Sequence, residues 1–213
     1  MDKTVYILGV GRNTIVTIDL AESCGYTIGG LFHYLDDRTG EDYFGHRIIG
    51  SNRELFTKDL NGMSFAISVG DNTIRFELYN RILQLGGNIP LLIHPTAVIS
   101  KYSKVRAGSQ IYAYSVIDPN TVIEENTIIS SKSCVLHGCR IGKNCFLAPD
   151  AVLGANTVVE DFTMIGLNAT IISNKANMLG SHSVIGASAV VTKPVEKNKV
   201  VAGIPARELQ KIK

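Results

Sequence analysis

Residues 99–129 read ISKYSK-VRAGSQ-IYAYSV-IDPNTV-IEENTI-I. Every sixth residue onward is Ile99, Val105, Ile111, Ile117, Ile123, Ile129, Val135, Ile141, Leu147, Leu153, Val159, Ile165 and Ile171, all aliphatic. Four residues after each stand Ser103, Ser109, Ser115, Thr121, Thr127, Ser133, Cys139, Cys145, Ala151, Thr157, Thr163 and Ala169, all small. A period of six fits neither an α-helical stripe nor the two-residue alternation of a half-buried strand. It fits a solenoid of short strands whose coils each have three six-residue sides. The aliphatic residue then points inward from each side, and the small residue fits the tight corner. Thirteen steps make a little over four coils.

On the C-terminal side the register breaks after Ile171, since position 177 is Asn, and resumes at Leu179, Ile185 and Val191. Residues 173–177 are therefore expected to form a small excursion. A charged loop with Pro194 is expected over 192–199, and a terminal helix over 207–213. Pro95 marks the entry to the solenoid, so the domains are expected to be 1–93 and 94–213.

The N-terminal ninety residues follow a different plan. Thr4–Leu8 reads as a buried strand that runs into Gly9-Val10-Gly11-Arg12-Asn13. A helix is expected over Ile15–Cys24, capped by Gly25. Strands are expected at Tyr26–Phe32, Ser64–Val69 and Ile89–Ile93. A second helix, Ile74–Leu85, would bury Ile74, Leu78, Ile82 and Leu85 and stop at Gly86-Gly87. Alternating strands and helices imply a Rossmann-like α/β domain with a parallel sheet, whose ligands bind at the carboxyl ends of the strands. Three groups fall there: Gly9 and Gly11 with Arg12 and Asn13; Asp36 and Asp37; and Gly70-Asp71-Asn72, with Arg75 one helical turn on. Glycines let backbone amides approach a phosphate. A tight turn accounts for Gly9-x-Gly11 equally well, and a helix cap accounts equally well for Asp71-Asn72. Thr14 stands where a dinucleotide fingerprint needs its third glycine, which disfavours NAD.

Composition excludes several classes. The formal net charge is +2 in 213 residues, with no basic run interleaved with aromatics, so nucleic acid is not an expected partner. No stretch approaches the roughly twenty apolar residues of a membrane span. No signal peptide is apparent, and a cytoplasmic protein is expected. The four cysteines, Cys24, Cys134, Cys139 and Cys145, form no CxxC pair, so no metal site is expected. A zinc hydrolyase would need three histidines in suitable geometry. The five here include no HxxxxH pair.

The motifs together resemble bacterial sugar acetyltransferases of the NeuD/PglD-like hexapeptide-repeat type. The resemblance covers essentially the whole chain. It rests on Gly9-x-Gly11, the segment 32–37, Val69-Gly70-Asp71-Asn72, Leu92-Ile93-His94-Pro95, the hexapeptides, and the blocks Ser183-Val184-Ile185-Gly186-Ala187 and 200–207. It implies a left-handed parallel β-helix, a homotrimer, and acetyl-CoA as co-substrate. It also implies a nucleotide-linked amino sugar as acceptor, held by Gly9, Gly11, Arg12, Asn13, Asp36, Asp37, Gly70 and Asn72. Acetyl-CoA would meet Ala155, Gly186, Ala187, Lys193, Gly203, Ile204, Pro205 and Arg207. By motif, His137 is the general base, since imidazole takes a proton near neutral pH.

The chain departs from the family pattern at three points near that site. Gly138 replaces the acidic residue that normally follows the histidine, Phe146 replaces a second histidine, and Asp150 replaces a glycine. Transfer to a sugar or sialic-acid hydroxyl is the second reading. A hydroxyl needs deprotonation more than an amine does, so Gly138 favours an amine. A non-catalytic nucleotide-sugar-binding protein is the third.

Overall fold

A computed structural model of the chain describes residues 3–209. The chain divides into two compact units, Met1–Pro95 and Thr96–Lys213.

The first unit is an α/β domain. Its strands are β1 (Thr4–Leu8), β2 (Thr27–His33), β3 (Asp42–Tyr43), β4 (His46–Ser51) and β5 (Phe65–Ile67), in sheet order β3-β4-β2-β1-β5. β1 pairs parallel to β2 and β5, β2 pairs parallel to β4, and only β3 runs antiparallel. Helices α1 (Thr14–Ser23), α2 (Asn52–Leu55) and α3 (Asn72–Gln84) connect them. Leu8, Phe32, Leu55, Leu60, Phe65, Ile67, Ile82 and Ile89 form the core.

Several expectations for this unit are corrected. α3 buries Ile82, with Leu78 and Leu85 packed on the core, but Ile74 is half exposed. Arg75 holds the buried place on that first turn, because its guanidinium finds acceptors in the preceding loop. Within this unit the strand expected at Ile89–Ile93 reduces to a parallel bridge from Asn88 to Ser64 and a short strand at Leu92–Ile93. Pro90 lies between them and cannot donate to a ladder. The hairpin β3–β4 and α2 carry no strong periodicity and were not legible in the sequence.

The second unit is the left-handed β-helix. Its two-residue strands stack parallel at a spacing of eighteen residues. Val98–Ile99, Val116–Ile117, Cys134–Val135, Val152–Leu153, Thr170–Ile171 and Val190–Val191 form one face. The last step is longer because the chain makes its excursion between Ile171 and Met178–Leu179. The aliphatic residues from Ile111 through Ile171, and then Leu179, Ile185 and Val191, are all buried. Each contributes roughly 1.5–3 kcal/mol of apolar burial. Ile99 and Val105, in the first coil, are only half-buried.

The small residues do more than fit a corner. Ser109 Oγ donates to the carbonyl of Glu124 (2.9 Å), Ser115 to Ser130 (2.9 Å), Thr121 to Leu136 (3.1 Å), Thr127 to Gly142 (2.8 Å) and Ser133 to Ala148 (3.0 Å). The thiols of Cys139 and Cys145 continue the ladder onto Gly154 and Glu160, each at 3.2 Å. Each bond joins one coil to the next and satisfies a corner carbonyl that no strand partner reaches. A second regularity stands three residues after each inward aliphatic. From Gly108 through Asn174, every sixth residue has positive φ, and six of these twelve are Asn. Asn tolerates the left-handed conformation better than most residues with a Cβ.

Two C-terminal expectations are corrected. The segment 192–199 is not wholly loop: Val195 is buried and bridges in parallel to Leu179. Arg207–Glu208 is not the start of a helix but a short strand antiparallel to Val201–Ala202, its backbone completing the edge of the last coil. The remainder of the expected helix, 210–213, lies outside the described residues.

Candidate active site

The residues expected to hold the nucleotide sugar all lie in the first unit, and those expected to meet acetyl-CoA all lie in the second.

At the carboxyl ends of β1 and β5, two loops pack into one structure. Gly9 has φ +90, and a Cβ there would sit 2.7 Å from Val69 Cγ2, so this position requires glycine. Thr14, fully buried, accepts from Gly11 N–H (2.8 Å), donates to Gly9 O (2.9 Å) and pairs with Ser68 Oγ (3.0 Å). The threonine that spoils the dinucleotide fingerprint is thus the pin that shapes this turn. The turn spends the Gly11 amide on Thr14, while Asn13 at the N-cap of α1 makes no side-chain capping bond. The N-terminus of this ten-residue helix is left without a side-chain cap beside the exposed Arg12 and Asn13, an arrangement suited to an anion. Tyr43, missed in the sequence, donates its hydroxyl to Gly11 O at 2.8 Å and lays the β3–β4 hairpin against the turn. A Cβ at Gly70 would lie 3.6 Å from Asn13 Nδ2, which brings the third group alongside the first.

The other candidates divide. Asp71 is a helix cap, accepting from Thr73 and Ile74 N–H at 2.9 Å. Asn72 Oδ1 accepts from Arg75 at 2.8 Å, so that oxygen serves the loop. Asp36 and Asp37 are exposed on a short 3₁₀ turn, and Asp36 pairs with Arg53. His33 is buried, its Nδ1 accepting from Leu35 N–H at 3.0 Å, which assigns it to the turn.

In the second unit His137 is exposed at a coil corner. Its backbone carbonyl accepts from Asn156 N–H at 2.9 Å, which fixes the corner from the coil above. Gly138 follows with φ +73, and a Cβ there would collide with Asn156 Oδ1. An acid directly after the histidine would therefore require the Asn156 side chain to shift, in a register where ten of twelve residues carry a Cβ at positive φ. Phe146 is half-buried on a strand between those of Ile128 and Met164, part of an apolar outer face.

Lys193 and Arg207 line one cavity of about 350 Å3 together with Thr192, Pro194, Lys199 and Glu208. Lys199 Nζ is 2.7 Å from Glu208 Oε1, and that hydrogen bond raises the Lys199 pKa above its ordinary value. Gly203, Ile204 and Pro205 are exposed, with a cis peptide before Pro205. Of the backbone N–H groups of Ala155, Gly186 and Ala187, all expected to meet acetyl-CoA, two are engaged. Ala155 N–H donates to Ser173 Oγ (2.9 Å) and Gly186 N–H to Val201 O (2.7 Å). Ala187 is exposed, and its N–H makes no hydrogen bond among the described residues. His182 is exposed and stacks on Phe162 at 4.7 Å. Among the described residues no group of three His, Cys, Asp or Glu side chains could hold a metal, and no helix is long and apolar enough to cross a membrane.

Residues 4–82 match the PglD N-terminal domain family, and residues 120–155 match the bacterial transferase hexapeptide (six repeats) family. A GDP-perosamine N-acetyltransferase from Escherichia coli O157:H7 is 31% identical over 208 residues, covering 94% of this chain and 92% of that protein. The chain belongs to the PglD-like hexapeptide-repeat sugar acetyltransferases. Solved members of similar form include the acetyltransferase domain of PglB from Neisseria gonorrhoeae FA1090 in complex with acetyl coenzyme A. It is 28% identical with a TM-score of 0.88, over 98% of this chain and 100% of that one. PerB from Caulobacter crescentus, in complex with CoA and GDP-perosamine, is 25% identical with a TM-score of 0.89, over 97% of each chain.

Proposed function

We propose that this chain transfers the acetyl group of acetyl-CoA to the amine of a nucleotide-linked amino sugar. The carrying observation is its relationship, over nearly the full length of both proteins, to an enzyme named for N-acetylation of GDP-perosamine. The uncapped helix N-terminus beside Arg12 and Asn13 supports a phosphate-bearing acceptor, and the cavity with Lys193 and Arg207 supports the phosphates of CoA.

The chemistry follows from the groups available. The neutral amine attacks the thioester carbonyl, forming the C–N bond and a tetrahedral intermediate with negative charge on oxygen. The unspent N–H of Ala187 is the donor best suited to that charge. Collapse breaks the C–S bond and releases CoA thiolate. His137 accepts the proton the nitrogen must lose and can return it to sulfur. An amine is nucleophilic without an acid–base dyad, which fits a histidine followed by Gly138.

The same reading makes the protein a homotrimer in the cytoplasm. Val98, Val116, Cys134 and Val152 form an outward apolar stripe on one face, ending at Thr170, with Val98 63% exposed, which favours self-association. None of the four cysteines is in a disulfide, which fits a reducing compartment.

The test is a thermal-shift screen of GDP-, UDP- and dTDP-linked amino sugars with and without CoA, followed by turnover with the best acceptor. A ligand at 100 times its Kd adds about 2.7 kcal/mol of stability. His137→Ala should lower kcat by about 10²- to 10⁴-fold with CoA binding intact. Wild-type kcat/KM in that variant removes His137 from the mechanism, and binding of both ligands without turnover favours a non-catalytic protein.

A further inference from the structure

Among the described residues Arg75 is the bulkiest fully buried side chain, at 0% exposure. Burying a guanidinium is costly unless its donors are met. Here Nη1 donates to the carbonyls of Val69 (3.3 Å) and Gly70 (3.2 Å), and Nη2 donates to Asn72 Oδ1 (2.8 Å). All three acceptors lie within four consecutive residues, 69–72, at the junction of the loop with α3. The side chain curls back over the start of its own helix, whose first turn is already capped by Asp71.

That loop is one wall of the Gly9–Asn13 turn. Val69 fills the space a Cβ of Gly9 would need, and Ser68 Oγ donates to Gly9 O and pairs with Thr14. A displacement of residues 69–72 would therefore be transmitted to Gly9, Thr14 and Asn13. A helix cap alone does not require an arginine, because Asp71 supplies it. A neutral brace would hold the same carbonyls without burying a charge. The retained charge lies at the carboxyl ends of β1 and β5, where the uncapped N-terminus of α1 also carries partial positive charge.

We propose that Arg75 is a positioning residue for the acceptor. It locks the loop 69–72 against the Gly9–Asn13 turn and adds a fixed positive charge behind the diphosphate of the nucleotide. This rests on the reading that the turn binds a nucleotide sugar.

The experiment is titration calorimetry of the full chain with GDP and with UDP, at 50 and 200 mM salt, on wild type, Arg75→Lys, Arg75→Met and Gly11→Val. Binding of CoA serves as a control for the second unit. Gly11→Val places bulk on the turn itself. Arg75→Met should weaken nucleotide binding by about tenfold or more and flatten its salt dependence, with CoA affinity within about twofold of wild type. Arg75→Lys keeps the charge but cannot span three acceptors, so it should bind several-fold more weakly yet keep the wild-type salt dependence. Should Arg75→Met fail to fold, Arg75→Lys alone decides, and wild-type nucleotide affinity in it overturns the positioning role. If Gly11→Val weakens binding and both Arg75 variants bind like wild type, the inference is wrong and the site stands. If Gly11→Val also binds like wild type, or wild type binds neither nucleotide, the site reading itself falls.

Discussion

Thr127→Val tests whether the corner residues of the β-helix are selected for size or for hydrogen bonding. The substitution keeps the shape and replaces a hydroxyl with a methyl. Thr127 is fully buried; its Oγ1 donates to Gly142 O at 2.8 Å and accepts from Cys145 N–H at 3.1 Å. Each bond contributes about 1 kcal/mol net, and a buried group that loses its partner costs about 1–3 kcal/mol. The expected loss is thus about 2–4 kcal/mol, or roughly 5–15 °C in Tm for a chain of this length. Thr127→Ser is the control: it retains both bonds and gives up one methyl, at a cost of about 1 kcal/mol. Thermal unfolding followed by far-UV circular dichroism, at one protein concentration, ranks the three proteins. A Val variant as stable as wild type, with the Ser variant melting lower, would show that the hydroxyl ladder contributes nothing and that volume alone matters.

Two further outcomes follow from the same geometry. Gly138→Glu restores the acid that family members carry after the histidine, yet it should reduce rather than raise kcat and lower Tm. Its Cβ enters the space of Asn156 Oδ1 at a φ of +73, and steady-state kinetics alongside a melting curve check this. At pH 8 the native protein should react with a thiol reagent at fewer than its four cysteines, with all four reacting in denaturant. Burial pushes the Cys139 thiol above its ordinary pKa, so little thiolate forms there, and a rapid four-thiol burst from folded protein would contradict it.

The inward register from Ile111 to Ile171 could be read directly, because in a solenoid the pattern of one coil repeats in the next and each position meets the same neighbours. The break after Ile171 and the resumption at Leu179 were equally legible. The αL asparagines were present in the sequence as a third phase of the same period, but size and polarity alone do not mark a positive φ. In the α/β unit the strands and helices with strong patterns emerged within a few residues of their true ends. Residues 33–63 did not, because a hairpin and a one-turn helix have too few residues to show a period.

The sequence by itself determined the β-helix, its inward face, the glycine turn after β1 and the outward projection of His137. Each of those depends on residues close together in the chain or repeated at a constant interval. Only the tertiary structure decided that Thr14 pins the turn, that Tyr43 closes against Gly11, that Asn156 fills the space beside Gly138, and that Ala187 keeps its N–H while Ala155 and Gly186 spend theirs. Arg75 is the sharpest case. The sequence places it beside Gly70-Asp71-Asn72 on the ligand side and gives the buried face to Ile74, whereas in the fold Arg75 is buried and Ile74 is half exposed. A helical period records which side chains share a face. It does not record the backbone carbonyls of a neighbouring loop, and here those carbonyls make burial of the cation favourable.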